Sequence, residues 1–240
     1  DRSPSRGLGD VYKRQDIGFI LLGLVVEQIT NQPLDLVAQQ RIFLPLQMKD
    51  SRYLPLDKPL QDAAYLQRIA PTENLQGDTD YQKLLPNYAQ TYLHAVVHDP
   101  TALRLNGVAG HAGVFGTAND LALFAQMLLN GGEHKGQSVL SPLAVQRVLT
   151  PVVIGNQSRA LGWDMQTAYS APKGDLLPAG SFGHTGFTGT SLWIDPASRT
   201  YIILLSNRVH PNRNTSITDL RAKLANIVAS AVPQSVSPNN

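Results

Sequence analysis

The stretch Gly183-His184-Thr185-Gly186-Phe187-Thr188-Gly189, continuing as Thr190-Ser191-Leu192-Trp193-Ile194-Asp195-Pro196, decides how this sequence is read. A titratable residue, a hydroxyl and a glycine open an alternating apolar run with the composition of a β-strand. Glycine at the start of a strand permits close approach of a ligand carbonyl. The residue after it can aim its backbone N–H outward from an edge strand, the geometry that stabilises an oxyanion. Histidine and threonine add a proton-handling group and a hydroxyl beside it. On three residues alone, a turn leading into a strand with an incidental histidine is the better explanation. The surrounding segments therefore decide.

On either side of this stretch the pattern is strand-like. Leu161 to Met165, Thr188 to Ile194 and Thr200 to Ser206 read as three strands, and the Asp195-Pro196-Ala197-Ser198 turn makes the last two an antiparallel hairpin. A final helix over about 217–231 carries Leu220, Leu224, Ile227 and Val228 on one face. Upstream the period is helical. Ile17, Ile20, Leu21, Leu24 and Ile29 fall on helix-like spacings behind Asp16 as N-cap, and Pro33 opens a second helix through Phe43. Residues 50–107 are aperiodic and rich in proline, the character of loops that carry binding residues on a scaffold. A glycine-rich turn, Gly107 to Gly113, feeds a helix with Thr117 and Asp120 at capping-box spacing and Leu121, Phe124, Ala125 and Leu128 on its apolar face. Ser141-Pro142 starts a further short helix that stops before Pro151. Helices first, then a hairpin sheet with a closing helix, predict an α+β fold.

Composition narrows the function classes. Charged residues make up 16% against 42% hydrophobic, which is globular and not disordered. A net charge of +2 argues for neither nucleic acid nor an anionic membrane as partner. Without cysteine there is no disulfide, thiol nucleophile or thiolate metal site. The longest apolar run, Ile17 to Val26, contains two glycines and is too short for a membrane span. Residues 1–15 lack apolar periodicity and read as translated linker or adapter sequence, with a flexible natural tail as the alternative; residues 16–232 are expected to form the domain and 233–240 a frayed tail.

Other constellations carry less. His94 and His98 have the spacing of helical metal ligands, yet Ala95-Val96-Val97 between them looks strand-like and no third ligand is evident. His98-Asp99 could belong to a nucleophilic triad, but no Gly-x-Ser-x-Gly elbow supplies the serine. His111 within the glycines lines a cleft or merely occupies a helix-leading turn. Trp163 and Trp193 read as core.

Taken together, Leu161-Gly162-Trp163, Gly183-His184-Thr185-Gly186, the Asp195-Pro196 turn and Leu204-Leu205-Ser206-Asn207-Arg208 resemble, in order and spacing, the class C β-lactamase and DD-peptidase superfamily. His-Thr-Gly stands where many members have Lys-Thr-Gly. Ile69 to Glu73, Val97-His98-Asp99 and Gly107 to Phe115 look like a bacterial subgroup of β-lactamase-related serine hydrolases, and Asp16 to Gly23 resembles the helix after the family's Tyr-x-Asn motif. The resemblance covers about residues 16 to 230. It implies the C-terminal part of a β-lactamase/transpeptidase-like fold and hydrolysis of an amide, ester or lactam carbonyl through an acyl-enzyme. It implies no metal or organic cofactor, a small-molecule or peptidoglycan-type peptide substrate, and a periplasmic or extracellular setting. His184 would take the place of the third-motif lysine and Thr185, with Gly186, would face the substrate. The Phe187 N–H would be one oxyanion donor, and Asp16 would orient an acyl-side amide or the catalytic lysine. Asn212 and His111 would line the cleft.

Two departures accompany that resemblance. Arg14 stands where the tyrosine of Tyr-x-Asn belongs, and nothing upstream of Asp16 resembles the nucleophilic Ser-x-x-Lys. Ser170-Ala171-Pro172-Lys173 fits that pattern but comes in the wrong chain order, with Pro172 and Gly174 opposing the helix that activation requires. The expectation is therefore a chain truncated before its second motif and inactive as it stands, or else a non-catalytic binding module that keeps the cleft wall. Without the N-terminal strands, the hairpin should leave an unpaired sheet edge and exposed apolar surface.

Overall fold

The computed structural model describes residues 15–76 and 78–232, so Arg14 and the tail from Pro233 lie outside the described residues. The chain divides into two compact units: Asp1–Phe43 with Ser51–Phe115, and Leu44–Asp50 with Gly116–Asn240.

The first unit begins with α1 (Gln15–Thr30) and α2 (Leu34–Ala38), the latter continuing as a π-helical turn over Gln39–Phe43. Because α1 starts at Gln15, Asp16 is not its N-cap; it lies in the first turn, where a carboxylate suits the positive end of the helix dipole. Glu27 Oε1 accepts from the Leu34 N–H at 2.8 Å, satisfying a donor that the start of α2 leaves orphaned. Ile17, Leu21, Leu22, Leu24, Val25 and Ile29 of α1 are all exposed. No single described helix is long and apolar enough to cross a membrane.

The aperiodic segment is built from three short helices, α3 (Ala63–Gln67), α4 (Thr79–Leu84) and α5 (Pro100–Arg104). Each is opened by an aspartate: Asp62 accepts from Tyr65 N–H, Asp78 from Asp80 and Tyr81, and Asp99 from Ala102. Helices this short have no stability of their own, so caps and burial must hold them. The burial is supplied by Leu75, Tyr81, Leu93, Val97, Ala102, Leu103 and Ala109. The Ala95-Val96-Val97 segment is not a strand; Ala95 takes φ 57° and Val97 turns into this core. Between the unit's ends, β1 (Arg52–Tyr53) pairs antiparallel with β2 (Val114–Phe115).

In the second unit α6 (Ala118–Leu129) is capped by Thr117 Oγ1, which accepts from the Asp120 N–H at 3.3 Å. The Asp120 carboxylate accepts from the Asp50 N–H at 2.8 Å, which ties the Leu44–Asp50 strap to the first turn of α6. A small ribbon, β3 (Glu133–His134) with β4 (Gln137–Ser138), leads to α7 (Pro142–Leu149), capped by Ser141. Then comes one antiparallel sheet of β5 (Val152–Ile154), β6 (Gln157–Ala160), β7 (Trp163–Gln166), β8 (Phe182–Thr185), β9 (Thr190–Asp195) and β10 (Thr200–Leu205), in the order β10-β9-β8-β7-β6-β5. The β5 and β6 strands, missed in the sequence, are joined by a Gly155-Asn156 two-residue turn with Ile154 opposite Gln157. The β9–β10 turn is closed as expected, Asp195 accepting from Ala197 N–H, Ser198 N–H and Ser198 Oγ. Among the described residues β10 forms an unpaired sheet edge, as the partial sheet of the α+β expectation requires.

One correction concerns the deciding stretch itself. His184 and Thr185 end β8; they do not open the next strand, which starts at Thr190 after a Gly186–Gly189 turn. Nor is β8 an edge strand, since β7 and β9 flank it, but its pairing with β7 is the single pair Asp164↔Gly183. The motif thus lies just beyond where that ladder stops.

Residues Ser191 to Asp195 of β9 are buried without alternation, because both faces of the sheet are covered. On one face Trp163 meets Phe182 edge-on at 5.2 Å and stacks with Phe124 of α6 at 6.4 Å. On the other, Trp193 and Ile202 pack on Ala225, Leu224 and Val228 of α8 (Thr218–Ala231). The buried line of α8 includes Arg221 and Ala225, while Leu220 and Ile227, expected on the apolar face, are exposed.

Gly183 sits opposite Trp193, and a Cβ there would meet the Trp193 ring at 2.4 Å and Leu192 O at 2.3 Å. Gly183→Ala is therefore expected to destabilise the second unit by about 2 kcal/mol, read as a lower midpoint in urea. The Tyr53 hydroxyl donates to Ala109 O at 3.1 Å, and its pKa is pushed up to about 12, first by burial and then by Asp35. Its folded value lies above the ordinary one, so its contribution is full below about pH 10 and lost on rising towards pH 12. Denaturation measured from pH 9 to 12 should show that decline, and Tyr53→Phe should flatten it.

Candidate active site

Four residues of the predicted wall lie together in the second unit. His184 is exposed at the end of β8, and its Nδ1 lies 2.8 Å from Thr185 O. A carbonyl only accepts, so Nδ1 carries the proton, and in the neutral ring Nε2 presents the lone pair. Arg159 Nη2 stands 3.4 Å from that Nε2 and can donate to it. Thr185, Gly186 and Phe187 form one side of a cavity of about 260 Å³, and Arg208, Ser216, Thr218 and Arg221 contribute the other.

The turn after Thr185 is tied down carbonyl by carbonyl. Gly186 O accepts from Gly189 N–H at 3.2 Å and from Arg221 Nη2 at 2.9 Å. Phe187 O accepts from Arg208 Nε at 2.6 Å, Thr188 O from the Arg208 N–H at 2.9 Å, and Gly189 O from Ser206 Oγ at 2.6 Å. Thr190 O accepts from Gly186 N–H at 2.8 Å and Arg221 Nη2 at 2.7 Å. The Arg208 guanidinium also lies 4.2 Å over the Phe187 ring. Gly189 is at φ 127°, where a Cβ would strike Ser206 O at 2.6 Å.

The remaining candidates stand elsewhere. Asn212, in the loop after β10, accepts through Oδ1 from Asn214 N–H at 3.1 Å and is not among the cavity-lining residues. Asp16 and His111 belong to the first unit. His111 Nε2 is 2.8 Å from Asp99 Oδ1, the same oxygen that caps α5, and its Nδ1 is buried without a partner. His98 Nε2 pairs with buried Glu73 at 2.8 Å, whereas His94 Nε2 is held 3.0 Å from Ile69 O. The two histidines spaced as ligands are thus committed to separate partners.

The Ser170-x-x-Lys173 decoy is structural. Ser170 Oγ donates to buried Asp164 at 2.9 Å and accepts from Thr167 N–H at 2.7 Å, while Lys173 Nζ donates to Met165 O at 2.7 Å. Burial pushes the Lys173 pKa down, opposed by Asp164, but the amine does not reach the serine. Its Ser and Lys sit on a 3₁₀ turn, not at the start of an α-helix as activation would need.

The profile of the family described as Beta-lactamase matches residues 9–227. The chain belongs to the β-lactamase family. It is 34% identical over 205 residues to the "N-acetylmuramyl-L-alanine amidase" of Bacillus subtilis (strain 168), covering 84% of this chain and 45% of that protein. It is 35% identical over 206 residues to the "Putative D-alanyl-D-alanine carboxypeptidase" of Escherichia coli (strain K12), covering 84% and 46%. The β-lactamase-family chain thus spans about half the length of the curated relatives it matches. Among solved structures it is similar to a class C β-lactamase (TM-score 0.56, 19% identity, 94% of this chain and 57% of that one) and to a β-lactamase from Mycobacterium bovis (TM-score 0.56, 17% identity, 90% and 63%). At those identities the likeness is one of fold: a β-lactamase/penicillin-binding-protein fold with a partial sheet and a closing C-terminal helix.

Sequence reading missed Arg208, Arg221 and Arg159. Arg208 was visible only as the end of the Ser206-Asn207-Arg208 run, and Arg221 sits on a helix face expected to be apolar. For Ser170 the expected behaviour is that of a structural residue: Ser170→Ala costs about 1–2 kcal/mol in urea denaturation by stranding Asp164 and the Thr167 N–H, and leaves fluorophosphonate labelling of the chain unchanged.

Proposed function

We propose that this chain supplies one wall of the active-site cleft of a serine hydrolase of the β-lactamase/DD-peptidase type, acting on amide, ester or lactam carbonyls through an acyl-enzyme. The observation that carries the reading is the end of β8, where His184 and Thr185 precede a turn whose carbonyls are all tied back. In this reading a serine from a segment upstream of Asp16 attacks the carbonyl. The tetrahedral oxyanion lies between the Phe187 N–H and the N–H of that serine. His184 Nε2 exchanges a proton beside the nucleophile, standing in for the third-motif lysine. Thr185, with Gly186 allowing close approach, faces the substrate.

The cavity beside Thr185 favours a substrate bearing a carboxylate, because its lining offers the Arg208 guanidinium and three hydroxyls and no acidic side chain, while Arg221 is spent on the Gly186 and Thr190 carbonyls. Both curated relatives carry names for hydrolases of cell-wall amide bonds, which supports a D-amino-acid peptide of peptidoglycan type; small esters and β-lactams share the reacting carbonyl. Outside the Ser170–Lys173 segment the chain contains no Ser-x-x-Lys, which supports the reading that it does not acylate by itself. That same observation favours the second reading, a non-catalytic module that keeps the cleft wall.

The test is to read the coding sequence upstream of Asp16 and express what it encodes. A Tyr-x-Asp ending at Asp16, with Ser-x-x-Lys further upstream, and labelling of the longer protein by fluorescent penicillin or fluorophosphonate, is the expected result. In that protein His184→Ala should slow acylation by about 10²- to 10⁴-fold. A start codon before residue 1, or labelling of the 240-residue chain itself, would overturn the reading.

A further inference from the structure

We propose that Arg221, seconded by Arg208, is a positioning residue that sets the direction of the Phe187 N–H by holding the carbonyls of its turn inward. The proposal rests on the serine-hydrolase reading of this wall and adds to it how the oxyanion donor is preorganised. Gly186 O and Phe187 N–H belong to one trans peptide and point in opposite directions, so whatever fixes the carbonyl fixes the N–H. Arg221 Nη2 fixes it, bridging Gly186 O at 2.9 Å and Thr190 O at 2.7 Å. The next peptide is held the same way, Phe187 O by Arg208 Nε at 2.6 Å, with the guanidinium stacked on the Phe187 ring.

The setting of Arg221 shows that these carbonyls are its purpose. It is 8% exposed, and its Nε is buried without a partner. Neither arginine makes an ion pair among the described residues, so no carboxylate offsets the desolvation of Arg221. Burial, and then the neighbouring Arg208, push the Arg221 pKa down. A buried cation beside another cation is a costly way to fill space. An apolar residue would carry no such cost, but it could not hold two carbonyls at once. Backbone carbonyls are good acceptors for a guanidinium fork, and a donor fixed before the substrate arrives has no reorganisation to undergo when charge develops.

The test has two arms. In the chain as it stands, Arg221→Met removes the donors at similar length and should leave the fold intact. Amide hydrogen exchange of residues 186–189 is expected to rise on the order of tenfold, with the β9–β10 ladder unchanged. Uniform acceleration or no local change would overturn the clamp. In the upstream-extended enzyme, Arg221→Met should lower the single-turnover acylation rate by about 10- to 100-fold with the half-saturating substrate concentration unmoved, and Arg221→Lys should restore part of it. Loss of binding in place of rate, or no loss, would overturn the positioning role. If the unmodified extended enzyme does not acylate, the serine-hydrolase reading fails and the catalytic purpose of the clamp falls with it, while the exchange arm still decides whether the clamp exists.

Discussion

The second unit depends on the indole of Trp193 lying over Gly183, a contact that needs a strand residue with no side chain. The same indole packs with Ile202 of β10 and Ala225 of α8, which close the cluster. Ala225 in turn fixes the rotation of α8. Arg221 lies four residues earlier, on the same helix face one turn away, and is thereby carried to the Gly186–Thr190 turn. An apolar contact in the core and a polar one at the site are thus two consequences of one helix setting.

Polar chemistry in this unit is divided between holding and presenting. Ser170 and Lys173 have the residue types of a nucleophile and its base, yet both are spent on internal partners, Asp164 and the Met165 carbonyl. His184 differs. It is exposed at the end of β8, and its Nδ1 is engaged by the Thr185 carbonyl, which fixes the tautomer.

The first unit is held by carboxylates in a different manner. Asp62, Asp78 and Asp99 each begin a helix too short to exist alone. Asp99 also holds His111, and Glu73 holds His98, so consecutive residues 98 and 99 anchor two histidine–carboxylate pairs that reach in different directions. This is how an irregular, proline-rich segment keeps a defined core without long elements.

The sequence by itself determined the order of motifs, through which the chain resembles its family, and also the hairpin at Asp195-Pro196 and most helices, which follow from local period and turn chemistry. It could not show that His184-Thr185 ends a strand rather than opening one, since the glycines on both sides are compatible with either. It left β5 and β6 unread, because Val152-Val153-Ile154 is exposed and does not alternate. It placed Leu220 and Ile227 on the buried face of the last helix, where the structure buries Arg221 and Ala225. Only the tertiary structure decided that face, because helical period gives the spacing of a stripe but not which stripe meets the Trp193 indole. The His-Thr-Gly motif was legible in one line of sequence; the arginines that hold its turn were not, since they come from 22 and 35 residues further along and meet it only when the sheet is packed.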